Sequence, residues 1–335
     1  ALSWTGSVTV VGAAQTPARD SPPATVSGVL FTEYRHSLRS GVDDSNFDVT
    51  RAYLTVTGRF AGGIGGRVTG DIYRNDEGSL GYRLKYGYAS WNPGNGSLTY
   101  KLGMVQTPFV EHNEHLWDYR MQGSDPTDRA GYLSSADIGL AVEGTWGGER
   151  VTLAGGIYNG ETYSETPGDK HKDVAARVSV RLASSDDDSR LGGLRVTGFA
   201  LAGEPTGGGT RQRYLGQLSY RSRAFWVAAF LMAARDRSDT LATPEPTLAG
   251  RLFSAYGVAK LGGGPIALLG RFDFHDPDTS APDDALSRII AGVSYRVSSN
   301  LRGLVNIDHA WLQVSPPAAS DQPRSRLLFQ VELTY

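Results

Sequence analysis

Apolar and polar residues alternate along most of this chain. Residues 48–60 place Arg51, Tyr53, Thr55, Thr57 and Arg59 on one face, against Ala52, Leu54, Val56 and Phe60. Residues 64–74 set Arg67, Thr69, Asp71 and Tyr73 against Val68, Gly70 and Ile72. Segment 80–91 sets Arg83 and Lys85 against Tyr82, Leu84, Tyr86 and Tyr88, and 97–106 sets Thr99 and Lys101 against Leu98, Tyr100, Leu102 and Met104. A two-residue period is that of a strand with unlike faces. The pattern resumes at 137–146, 150–158, 172–183, 193–203, 211–221, 247–260, 265–275, 286–297, 300–313 and 325–335. Two further segments are less clean: 24–36 mixes Val29 and Phe31 into its polar face, and 224–236 is apolar on both faces. The reading is all-β, about sixteen strands, each long enough to cross a bilayer when tilted.

The connections alternate as well. Long ones at 37–47, 107–136, 159–171, 237–246, 276–285 and 314–324 are interleaved with tight ones such as Ala61-Gly62-Gly63, Pro93-Gly94-Asn95-Gly96 and Gly262-Gly263-Gly264. Long loops at one end and short turns at the other describe a transmembrane up-and-down barrel. Asn75–Ser79 is short for a loop, and Ser184–Gly192 is long for a turn. A wall of sixteen strands is too wide for side chains to fill, so the polar face lines water and the apolar face meets lipid. Tyr82, Tyr88, Tyr100, Trp146, Tyr295 and Tyr335 then fall near strand ends on the lipid side, as an aromatic girdle.

The last segment stops on an aromatic residue, with Phe329, Val331, Leu333 and Tyr335 on one face. Termini usually fray, but a barrel must pair its last strand with its first. This ending resembles the terminal-aromatic strand that the assembly machinery of the bacterial outer membrane recognises, with Phe329 and Tyr335 as the signal. Residues 1–23, rich in Pro and polar residues over Gln15–Pro23, read as a segment and linker outside the wall. They are placed at the turn end or in the lumen, ahead of a barrel over 24–335. The first residues, Ala1-Leu2-Ser3, are what a cleaved export signal leaves behind.

Composition narrows the chemistry. The 335 residues include 42 Gly and no Cys, which removes disulfides, thiolate nucleophiles and Cys-based metal sites. A net charge of -2 argues against nucleic acid, which needs a strongly basic surface. The longest uncharged apolar run, Ala224–Ala234, is too short for a membrane helix of roughly 20 residues. Glu111-His112-Asn113-Glu114-His115 lacks the i, i+4 histidine pair of a zinc hydrolase, and no Gly-x-Ser-x-Gly elbow occurs. No cofactor and no catalysis are expected.

Gly103-Met104-Val105-Gln106-Thr107-Pro108-Phe109, followed after a long loop by Ser135-Ala136-Asp137-Ile138-Gly139 and Gly144, resembles the bacterial phosphate-selective porin O/P family and its relatives. The resemblance covers strands five and six with the loop between them. It implies a commonly trimeric outer-membrane porin whose third loop folds into the lumen. In that family phosphate selectivity depends on an arginine ladder and a lysine cluster. This chain has five lysines (Lys85, Lys101, Lys170, Lys172, Lys260) scattered among different segments.

The charge layout supplies the candidate site. The basic pore wall is expected to include Arg51, Arg59, Arg67, Arg83, Lys85, Lys101, Arg271 and Arg302. The third loop is acidic, with Glu111, Glu114, Asp118, Asp125 and Asp128 against Arg120 and Arg129. If it bends inward, carboxylates face guanidiniums across a narrow aqueous gap, and the field there favours small polar solutes. The expected function is passive diffusion of small hydrophilic solutes and ions. An anion- or phosphate-selective pore and a non-conducting scaffold barrel are the alternatives.

Overall fold

In the computed structural model, residues 24–39, 44–75, 77–165, 168, 170–239, 246–313 and 324–335 are described; the segment 1–23, with its expected placement, lies outside them. Sixteen antiparallel strands close into one barrel in sequence order. The first eight are β1 Thr25–Ser37, β2 Ser45–Arg59, β3 Ile64–Arg74, β4 Leu80–Trp91, β5 Leu98–Gln106, β6 Ala136–Trp146, β7 Val151–Tyr158 and β8 Asp173–Ala183. The second eight are β9 Gly193–Gly203, β10 Gly209–Arg221, β11 Phe225–Ser238, β12 Leu248–Lys260, β13 Ile266–Asp276, β14 Leu286–Arg296, β15 Leu301–Leu312 and β16 Arg324–Thr334. Every expected strand is present, its ends displaced by at most a few residues.

Closure is made by β1 and β16, with Val29 opposite Thr334 and Ser37 opposite Arg326. Gly28 and Tyr335 exchange two backbone hydrogen bonds, 2.8 and 3.0 Å, so the last residue is part of the ladder. The Tyr335 ring lies where a Gly28 side chain would be: a Cβ there would stand 2.1 Å from its Cζ.

The outer face carries a continuous set of exposed Leu, Val, Ile and Phe, among them Leu54, Val68, Leu102, Leu140, Leu231, Ile307, Phe329 and Val331. So large an apolar surface is stable only against lipid. Tyr82, Tyr100, Trp146, Tyr295 and Tyr335 are exposed on that side as expected. Tyr88 is not. Thr69 pairs with Tyr86 and Gly70 with Leu84, so Lys85 is an extra residue in a bulge of β4. A bulge reverses the facing of the residues beyond it. Tyr86 and Tyr88 therefore turn into the lumen, where Tyr86 is buried and Tyr88 accepts a hydrogen bond from Gln106.

The inner face has two halves. On β9–β15 it is apolar over long stretches: Phe199, Leu215, Trp226, Phe230, Met232, Leu252, Tyr256, Val258, Leu269, Ile290 and Leu304 are all buried. This is why segment 224–236 is apolar on both faces, since one side of β11 meets lipid and the other meets a loop. On β2–β5 the inner face is charged and aromatic.

Candidate functional site

The connection between β5 and β6, residues 107–135, folds inside the barrel. It contains α1 Val110–Trp117 and the single-turn α2 Pro126–Arg129. Its stem closes with the Thr107 N–H donating to the Ser135 carbonyl, 3.1 Å. Phe109 is fully buried between Phe199 and Phe230, with ring centroids 5.7 and 5.6 Å away. Trp117 packs on Tyr256 at 5.2 Å, and Leu116 and Met121 join the same core. Burying each large apolar side chain contributes ~1.5–3 kcal/mol, enough for a few of them to hold a loop that would otherwise float in water.

Polar contacts fix its register. Asn113, buried on α1, accepts from Gln217 Nε2 and from the Tyr256 hydroxyl at 2.6 Å each, and donates to Asp125 at 2.6 Å. Asp125 caps α2: its other oxygen accepts from the Thr127 N–H at 2.8 Å, and Pro126 occupies the first helical position. The Tyr119 hydroxyl lies 2.6 Å from Ser294 Oγ, and Gln330 donates to the Met121 carbonyl at 2.8 Å. At the turn end, the long connection 184–192 rises to meet the loop. Leu191 joins its core, and Arg190 Nη2 lies 3.1 Å from His115 Nδ1.

Among the described residues, cavities remain between this loop and the barrel wall. An outer one of about 380 Å³ lies towards the long loops and is lined by Arg51, Arg83, Asp128, Tyr163, Arg211 and Arg213 among others. An inner one of about 760 Å³ lies between α1 and β1–β4. A third, about 280 Å³, lies between α1 and β5–β8 and holds Lys101, His112, Glu143, Arg177 and Arg190. Burial, reinforced by Arg177 and Arg190, holds the His112 ring well below its ordinary titration range, so it is neutral at pH 7.

The inner cavity presents Arg67, Lys85, Arg120 and Arg302, matched by Glu111, Glu114, Asp118 and Glu332. Most are paired. Glu114 lies 2.6 Å from Arg120, Glu111 3.5 Å from Arg67, and Asp118 3.3 Å from Arg302, which also holds Glu332 at 2.8 Å. On the wall, the buried Asp71 accepts from Arg51 Nη1 at 2.8 Å and Arg83 Nε at 3.0 Å. Lys85 Nζ donates to the Tyr53 hydroxyl at 3.2 Å, and Arg67 lies 4.4 Å over the Tyr86 ring.

The sequence-derived residues therefore fall into separate places. Arg51, Arg67, Arg83, Lys85 and Arg302 meet Glu111, Glu114, Asp118 and Asp128 around the outer and inner cavities. Lys101, paired with Glu143 at 2.6 Å, lines the third cavity. Arg59 is exposed at the turn end of β2. Two residues differ from the expected arrangement. Arg271 is buried near the loop, locked to Asp273 at 2.8 Å with its guanidinium 5.7 Å from the Trp117 ring. Asp125 is buried and capping a helix, away from the open lumen; burial lifts its carboxyl to about 6 against its hydrogen bonds from Thr127 and Asn113. Sequence reasoning missed Tyr86 and Tyr163 as lumen residues. Asp125-Pro126 could have been read as a cap followed by a helix-starting proline.

The barrel is similar to solved porins. The anion-selective porin from Comamonas acidovorans matches with a TM-score of 0.69 at 11% identity, over 93% of this chain and 99% of that one. Outer-membrane expressed OmpT of Vibrio cholerae gives 0.64 at 11%, over 93% and 97%. OmpF of Salmonella typhi, in complex with daunomycin, gives 0.65 at 10%, over 93% and 97%. At such identities the likeness is one of fold, a porin-type barrel, and does not extend to the narrower phosphate-selective O/P resemblance. No family model matches the chain, and no curated protein matches it either.

Proposed function

We propose that this chain is an outer-membrane diffusion channel for small hydrophilic solutes and ions, with its constriction between the third loop and the wall formed by β2–β4. The observation that carries this is the divided lumen: one wall is spent on holding the loop, and the other is left charged, aqueous and unfilled. The long loops then face outward from the cell and the tight turns face the periplasm. Transport is passive, with no catalytic step and no energy coupling. Three copies associating side by side in lipid is the assembly we assign to it, and the Phe329–Tyr335 ending is what the assembly machinery would read.

Selectivity follows from the charge layout. The inner cavity balances four cations with four carboxylates, whereas the outer cavity has Arg51, Arg83, Arg211 and Arg213 against Asp128, Asp137 and Asp173. The third cavity also leans basic. This supports broad permeation with a mild preference for anions, in keeping with the anion-selective porin among the structural neighbours. It does not support a high-affinity phosphate site, because the carboxylates interleaved with the arginines repel a divalent anion. Purified protein in a planar bilayer tests both points. Stepwise currents with a small chloride preference and no micromolar phosphate block are expected. A silent protein refutes the channel, and micromolar block refutes the broad selectivity.

A further inference from the structure

The third loop does not frame the outer opening by itself. We infer that Tyr163, on the loop joining β7 to β8, is a second lip of the aperture and sets the largest solute that passes; this rests on the channel reading above. β7 stands three strands away from β4 around the wall. To reach β4, the loop must lean over the lumen, and Tyr163 makes that contact. Its hydroxyl accepts from Arg83 Nη2 at 2.8 Å, and its ring lies 4.4 Å from the same guanidinium. Arg83 is held further by the Tyr73 ring, 3.9 Å from its guanidinium, and by Asp71, which accepts from its Nε. A guanidinium held by three partners is a rigid seat for the ring.

The loop is bent into this position by its stem. The Asp137 carboxylate accepts from the Gly160 N–H at 2.8 Å, and Arg211 Nη1 donates to the Gly160 carbonyl at 2.7 Å. Gly160 has φ +97°, and an added Cβ would stand 3.2 Å from both Arg211 and Asp173, so neither conformation nor space suits another residue. Thr162, at φ +71°, then reverses the chain immediately before Tyr163. Asp137 belongs to the Ser135–Gly139 motif and is here a positioning residue. Tyr163 lines the outer cavity together with Asp128 of the third loop, Arg51 and Arg83.

The test uses the full chain in planar bilayers and in liposomes swollen with sugars of increasing size. In Tyr163→Ala, unitary conductance should rise by about half and larger sugars should enter, since one aromatic side chain leaves the lip of the outer cavity. Tyr163→Phe should keep the wild-type size limit. Tyr163→Cys is the only thiol in the chain, so a bulky thiol reagent should remove roughly a third or more of the current in steps. Asp137→Asn should widen the spread of open-channel levels and, by removing one carboxylate of the outer cavity, move the ion preference further towards anions. A conducting wild type whose Tyr163→Ala variant is unchanged, or whose Tyr163→Cys variant ignores the reagent, overturns the lip alone. A wild type that carries no current overturns the channel reading and the lip with it.

Discussion

Replacing Glu111 and Glu114 by Gln and Asp118 by Asn converts the balanced inner cavity into one with three cations in excess, because Arg67, Lys85, Arg120 and Arg302 remain against Glu332 alone. A passing ion ~6 Å from each lost carboxylate feels ~0.7 kcal/mol less interaction in water. With a Debye length of ~10 Å at about 0.1 M salt, screening trims this to ~0.4 kcal/mol each. Three such terms sum to ~1.2 kcal/mol, or about sevenfold in the local abundance of an ion, raised for chloride and lowered for potassium. The three are unequal. The Glu114 side chain is 12% exposed and Asp118 36%, so Glu114→Gln should account for the largest single shift and Asp118→Asn for the smallest. The assay is the reversal potential under a tenfold KCl gradient, which should move towards the chloride potential and do so less at higher salt. A triple variant with normal conductance and an unmoved reversal potential would show that solutes do not pass along this face of the loop.

Three further outcomes follow from the packing. Asp125 has its carboxyl raised to about 6 from an ordinary value near 3.8, so its contribution to stability is full below ~4 and is lost as pH rises through ~6; protease protection of the third loop should decline over that window, and Asp125→Asn should flatten the decline. Asn113→Ala strands Gln217, Tyr256 and Asp125, each unsatisfied group costing about 1–3 kcal/mol; open-channel noise should increase while the barrel itself stays folded by heat-dependent gel mobility. Gly28→Val drives a side chain into the Tyr335 ring at the closing seam; assembly yield should fall, and a Tyr335→Ala change in the same chain should partly restore it by clearing the space.

How far the sequence could be read depended on whether a feature is local. Strands were legible because alternation is a property of neighbours along the chain, and the closing strand was legible to its last residue. The facing of Tyr86 and Tyr88 was not. Tyr82, Leu84, Tyr86 and Tyr88 continue in perfect phase, and only the pairing of Thr69 with Tyr86 across the ladder reveals the extra residue at Lys85. Arg271 was placed on the correct face, yet the sequence could not say that the loop packs nearby, because that depends on contacts with Trp117, more than a hundred residues away. Tyr163 carries no local signal at all; its contact with Arg83 joins the loop after β7 to β4, 80 residues earlier in the chain.

The ambiguous segment proved the most informative. Residues 224–236 break the inside-polar rule, and the break locates the loop. Inward Trp226, Ala228, Phe230, Met232 and Ala234 would face water in an empty sixteen-stranded lumen, at a cost of ~25 cal/mol for each Å² of apolar surface left wet. The third loop removes that cost by laying Phe109, Leu116 and Trp117 against them, and the same contacts fix its acids opposite β2–β4. An apolar inner face in such a barrel therefore predicts both that a loop folds inward and which wall it leans on. On the channel reading proposed above, the open path then runs along the opposite wall, which is left charged. In this chain that wall carries Arg51, Arg67, Arg83 and Lys85, so the inner faces that stay apolar mark where the loop is held and the charged ones mark where solutes would pass.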